Sequence, residues 1–125
     1  MKDSGFTIVE LLLVVAIIAI LATLALSNFA LFKSTALNAT AASDARGLAP
    51  GVDMVSTEAP PPTIAPFTGN GGAVAGIPGG KTSPGTFGTI EFQAPNEYRI
   101  KTYQIGGDCF TLENGVFTVT SGVCT

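Results

Sequence analysis

The chain has 125 residues, a formal net charge of −3, no histidine and two cysteines. Its six basic residues are scattered from Lys2 to Lys101 and form no stripe that could neutralise a phosphate backbone, which argues against a nucleic-acid partner. With no histidine, only two cysteines and dispersed acids, the sequence provides neither a zinc site nor a nucleophile with a base, so no metal, no cofactor and no enzymatic activity are expected.

The first element is apolar. Leu11 to Phe32 is a run of 22 residues without a charge, nearly all Leu, Ile, Val, Ala or Phe. About 20 such residues cross a bilayer as a helix. Glu10 stands at its entrance, where an ionised carboxylate in hydrocarbon costs about 2.5–3.5 kcal/mol on insertion scales, so a function and a partner are expected for it. A secretory signal peptide fits poorly. Its apolar core runs to only about 7–15 residues, and the nearest small-x-small site, Ala39-Thr40-Ala41, lies well past Lys33.

The stretch GFTIVELLLVVAIIAILATLAL, Gly5 to Leu26, resembles the processing and assembly segment of type IV pilins and of the type II secretion pseudopilins. The resemblance implies a leader over residues 1–5, cleavage between Gly5 and Phe6 by a membrane prepilin peptidase, and N-methylation of Phe6. It also implies that Glu10 is an assembly residue, reaching the new Phe6 amine of a neighbouring subunit in a filament. An amine and a carboxylate in low dielectric compensate each other's desolvation far better than either does alone. Many members of the family carry glycine and proline within the span. Ala19 to Ser27 has neither, so a more continuous helix is expected here.

Beyond the span, Leu37, Ala41, Leu48, Val52 and Val55 recur at helical spacing, with Ser43, Asp44 and Arg46 on the polar side. Gly47, Pro50 and Gly51 interrupt the pattern. Proline inside a helix costs about 3 kcal/mol, so the helix either kinks and reaches about Glu58 or stops near Ala49; the apolar spacing beyond Pro50 favours the former. The expected divisions are therefore a helix over 6–58, apolar over 6–32 and amphipathic over 33–58. Residues 59–88 are rich in glycine and proline, with Lys81 as the only charge. That composition reads as a loosely wrapped connection or as an exposed variable face.

Residues 89–125 alternate. Ile90 and Phe92, then Tyr98, Ile100 and Thr102, follow the period of half-buried strands. In CFTLENGVFTVT, Asn114-Gly115 is the preferred two-residue hairpin turn, setting Leu112 opposite Phe117 and Phe110 opposite Val119. Cys109 and Cys124, lying beyond an apolar export segment, read as a disulfide formed in an oxidising compartment.

The expected fold class is α+β and pilin-like: a long N-terminal helix on a small antiparallel sheet with a C-terminal disulfide. By resemblance the chain is a structural subunit of a type IV pilus, inserted in the inner membrane as a precursor, handled by the pilus assembly machinery and polymerised into a homo-oligomeric extracellular filament. The alternatives are a pseudopilin of a type II secretion system and a monomeric membrane-anchored binding domain. Asp108 and Glu113 read as solvated turn residues rather than calcium ligands, and Phe6, Phe29 and Phe32 as packing residues.

Overall fold

A computed structural model describes the protein at residues 5–122 and at Cys124; of the leader expected at residues 1–5, only Gly5 falls among them, and Met1 to Ser4 lie outside. The chain divides into two compact units, Met1–Lys33 and Ser34–Thr125. Helix α1, Ile8–Ser56, is 49 residues long and contributes to both. In the first unit its large apolar side chains are all exposed, from Ile8 to Phe32, as is Phe6 ahead of it. It is the one helix among the described residues that is long and apolar enough to cross a membrane. As expected from the absence of glycine and proline, it is uninterrupted across Ala19–Ser27.

In the second unit α1 continues through Pro50 and ends at Ser56, two residues short of Glu58. Pro50 is exposed and cannot donate the usual bond to Arg46. What carries the helix past it is burial: Leu48, Val52 and Val55 are at most 5% exposed. At about 1.5–3 kcal/mol for each side chain, these three outweigh the proline penalty. Gly51 serves the same packing, because a Cβ there would stand 2.5 Å from the Pro78 carbonyl oxygen. The helix end is closed by the strand turn, where Asn96 N donates to Ser56 O at 3.2 Å.

The second unit is completed by a five-stranded antiparallel sheet and a two-stranded ribbon. The strands are β1 (Phe67–Thr68), β2 (Gly72–Ala73), β3 (Lys81–Thr82), β4 (Thr86–Ala94), β5 (Glu97–Gln104), β6 (Cys109–Glu113) and β7 (Val116–Thr120). The sheet order is β1-β4-β5-β6-β7, and β2 pairs with β3. The hairpin has the expected register, with Leu112 opposite Phe117 and Phe110 opposite Val119, and Asn114 and Gly115 both take positive φ, 49° and 83°. Ile90, Tyr98, Ile100 and Leu112 pack with the helix residues in one core. Burial pushes the Tyr98 phenol up to about 12, reinforced by a hydrogen bond to Asp53 and by its charge.

The connection departs from a loose wrap. Ile64 and Ile77 enter the same core, β1 adds to the sheet, and β4 takes in Thr86–Gly88. Low apolar content does not prevent this, since two isoleucines at the right places suffice to fasten the segment to a core built by other elements. Asp44 also departs from expectation. It is buried rather than on the polar side, and it accepts from Ser83 N (2.8 Å), Ser83 Oγ (2.9 Å) and Thr86 Oγ1. Gln104 Nε2 extends the network to Thr86 at 3.2 Å. Asn38 makes a second polar tie: its Oδ1 accepts from Asp108 N and its Nδ2 donates to Asp108 Oδ2, both at 2.8 Å.

Candidate functional site

The candidate site is the start of α1, built from Gly5, Phe6, Thr7 and Glu10. Thr7 precedes the first helical residue, and Glu10 lies three positions on. Such a pair closes the orphan N–H groups of a helix start reciprocally. Both halves are present. Glu10 N donates to Thr7 Oγ1 at 3.2 Å, while Glu10 Oε2 accepts from Thr7 N at 3.0 Å and from Thr7 Oγ1 at 2.9 Å. The carboxylate that interrupts the apolar segment therefore also starts the helix. Thr-x-x-Glu before an apolar run is a readable signal for such a box, and attention to Glu10 as a charge alone passes over it.

Both Thr7 bonds fall on Oε2, and Oε1 makes no hydrogen bond to the described residues. Phe6 is 80% exposed. At Gly5 a Cβ would meet nothing within 4 Å, and φ is not in the left-handed region, so nothing within the described chain requires glycine there.

Residues 1–26 match the prokaryotic N-terminal methylation motif. This is the type IV prepilin leader signature. It covers about a fifth of the chain and supports a place among the type IV pilins or pseudopilins, with processing by prepilin peptidase, entry into pilus-type assembly and membrane anchoring of the precursor. No curated protein and no solved structure matches the chain. The long helix, antiparallel sheet and C-terminal disulfide make an α+β pilin-like fold.

The cysteine pair forms that disulfide. Cys109 opens β6, is buried, and joins Cys124 across 15 residues with the Cα atoms 5.1 Å apart. Cys124 lines one cleft with Thr89, Lys101 and Tyr103. The two acids weighed as calcium ligands are engaged elsewhere: Asp108 with Asn38, and Glu113 with Arg99 at 2.9 Å. Among the described residues no cluster of three or more His, Cys, Asp or Glu suits a metal ion. The pilin-type signature indicates a structural rather than an enzymatic protein.

Proposed function

We propose that the chain is a structural subunit of a type IV pilus. The precursor sits in the inner membrane; its leader, residues 1–5, is removed between Gly5 and Phe6, Phe6 is N-methylated, and the helix then polymerises into an extracellular homo-oligomeric filament serving adhesion, motility or related surface functions. The observation that carries this reading is the methylation motif feeding directly into a helix whose apolar side chains are exposed from Ile8 to Phe32. A glycine at position 5 that none of the described residues requires supports recognition by the peptidase. The C-terminal disulfide favours the pilus over the type II secretion fibre.

In the filament, Glu10 Oε1 takes the Phe6 amine of a neighbouring subunit while Oε2 keeps the helix cap. Glu10→Leu is expected to insert in the membrane and to be cleaved but to yield no fibres, because removing one partner of a buried ion pair costs about 3–5 kcal/mol at each subunit. The measurement is fibre yield at the cell surface, alongside membrane-pool and cleavage assays in one strain and mass spectrometry of the mature N-terminus. Normal fibres from Glu10→Leu, or a mature chain that does not begin at Phe6, refute the mechanism.

A further inference from the structure

The chain holds two Asn-Gly dipeptides, Asn70-Gly71 and Asn114-Gly115. Asparagine followed by glycine is chemically labile, because the glycine nitrogen meets no side chain as it approaches the asparagine amide carbon. The reaction needs a side chain free to rotate and a backbone free to follow. The two sites differ above all in how firmly the asparagine side chain is held.

Asn114 is clamped at two points by one residue of the neighbouring strand: its N donates to Tyr98 O at 3.3 Å and its Oδ1 accepts from Tyr98 N at 3.0 Å. The pair Glu113 and Val116 closes the hairpin on either side of the turn. Asn70 is exposed, and its side chain makes one long hydrogen bond, Nδ2 to Thr68 Oγ1 at 3.3 Å. It stands between two glycines of positive φ, Gly69 at 81° and Gly71 at 69°, and borders an open cleft of about 260 Å³ that admits water. The fold also requires the labile glycine. A Cβ on Gly71 would come within 2.7 Å of Pro84 N, so no bulkier residue fits where the loop presses on Ser83 and Pro84.

We propose that Asn70-Gly71 is a site of spontaneous deamidation in the folded protein, and that Asn114-Gly115 is protected. The Gly71 nitrogen bonds to Asn70 Cγ, the side-chain nitrogen leaves as ammonia carrying the displaced proton, and a cyclic imide forms. Water then opens the ring. Attack at Cγ gives aspartate in a normal chain, and attack at the backbone carbonyl gives isoaspartate with the chain rerouted through the side chain. The net change is one water consumed, one ammonia released and one new carboxylate, with no oxidant or reductant.

The consequence reaches the core. Gly85 N donates to Gly69 O at 2.7 Å, and Ser83 beside it is held by Asp44. An extra backbone carbon at position 70 displaces Gly71 from Pro84 and loosens this fastening.

The test incubates the full-length chain, solubilised in detergent, in mildly alkaline buffer, with parallel samples in denaturant, and follows both sites by peptide mapping and isoaspartate detection. In the folded chain, acid at position 70 is expected to accumulate several-fold faster than at position 114. In denaturant the two rates should converge, and Asn70→Gln should abolish the signal at position 70 only. Equal rates in the folded chain, faster reaction at Asn114, or a folded chain inert at Asn70 while the denatured chain reacts there would each overturn the proposal. The readout is independent of fibre formation, so it stands or falls apart from the pilus reading.

Discussion

Replacing Asp44 by alanine isolates the polar tie between the helix and the glycine- and proline-rich segment. The substitution removes the acceptor of Ser83 N, Ser83 Oγ and Thr86 Oγ1. Thr86 is fully buried, so its hydroxyl proton is left without a partner that water could replace, at a cost of about 1–3 kcal/mol. Ser83 is half-buried, and its two bonds are partly recovered from solvent, leaving a loss of about 0.5–1.5 kcal/mol for each. Relief of the buried charge offsets part of this, so the net loss is about 2–4 kcal/mol, a large share of a total stability of about 5–15 kcal/mol. The two tyrosines, Tyr98 and Tyr103, both lie in β5, and with no tryptophan in the chain the near-ultraviolet signal reports on the sheet. Urea unfolding of the detergent-solubilised protein should show the midpoint falling by about 1–2 M, given a slope of about 1–3 kcal/mol per molar. Ser43→Ala, next to it on the exposed side, is the control. A shift within about 0.5 kcal/mol, the range of an ordinary surface substitution, would refute the assignment of Asp44 as a core fastening.

Two glycines in the same helix should respond in opposite directions when changed to alanine. Gly51→Ala drives a methyl into Pro78 O and Ile77 Cγ2 (2.5 and 2.6 Å) and should destabilise by about 1–3 kcal/mol, while Gly47→Ala meets nothing within 4 Å and should stabilise by about 0.5–1 kcal/mol in the same unfolding assay. Cys124→Ser opens a loop of 15 residues and should cost about 3 kcal/mol in the chain-entropy model, read as an equal effect of reductant on the parent protein and none on the variant. Tyr98 supplies a pH dependence. Its folded value of about 12 lies above the unfolded value near 10, so its contribution is fully present below about pH 10 and is lost as pH rises through 12, about 2–3 kcal/mol in all. Tyr98→Phe should remove that alkaline slope in unfolding curves taken across the range, and an unchanged slope would assign it to another group.

How much of this was legible in the sequence depends on whether the signal is local. The apolar span and the Asn114-Gly115 hairpin are each specified within a few residues, by composition or by a turn that needs positive φ, and each is found where the sequence puts it, whereas the helix begins at Ile8 rather than at the expected Phe6. The disulfide follows from two cysteines placed beyond an apolar segment. Asp44 was not legible, because its partners Ser83 and Thr86 are about forty residues away and helical periodicity alone assigns any charge to the outside. Ile64 and Ile77 were hidden for a related reason: each stands in a glycine- and proline-rich context, and the burial of Ile77 depends on the room that Gly51 and Gly80 leave, that of Ile64 on Gly76. Pro50 left two outcomes open, and the helix passes it as the apolar spacing beyond it favours, its local cost overcome by the burial of Leu48, Val52 and Val55. At the candidate site, Glu10 was recognised by its charge and Gly5 and Phe6 by resemblance, whereas the cap joining Glu10 to Thr7 emerges from the hydrogen bonds.

The fastening of residues 59–85 at few points has an evolutionary consequence. Ile64, Phe67, Gly71, Val74, Ile77, Gly80 and Ser83 hold the segment to the rest of its unit, and the exposed residues between them make fewer demands on side-chain identity. Selection on stability therefore acts on a handful of positions there, and the exposed residues between them are free to diverge. Doubling the length of a flexible stretch adds only about 0.6 kcal/mol of closure entropy. The exposed stretches between these anchors are thus where lineages sharing this core can acquire different surfaces, and where a foreign peptide could be displayed with little loss of stability.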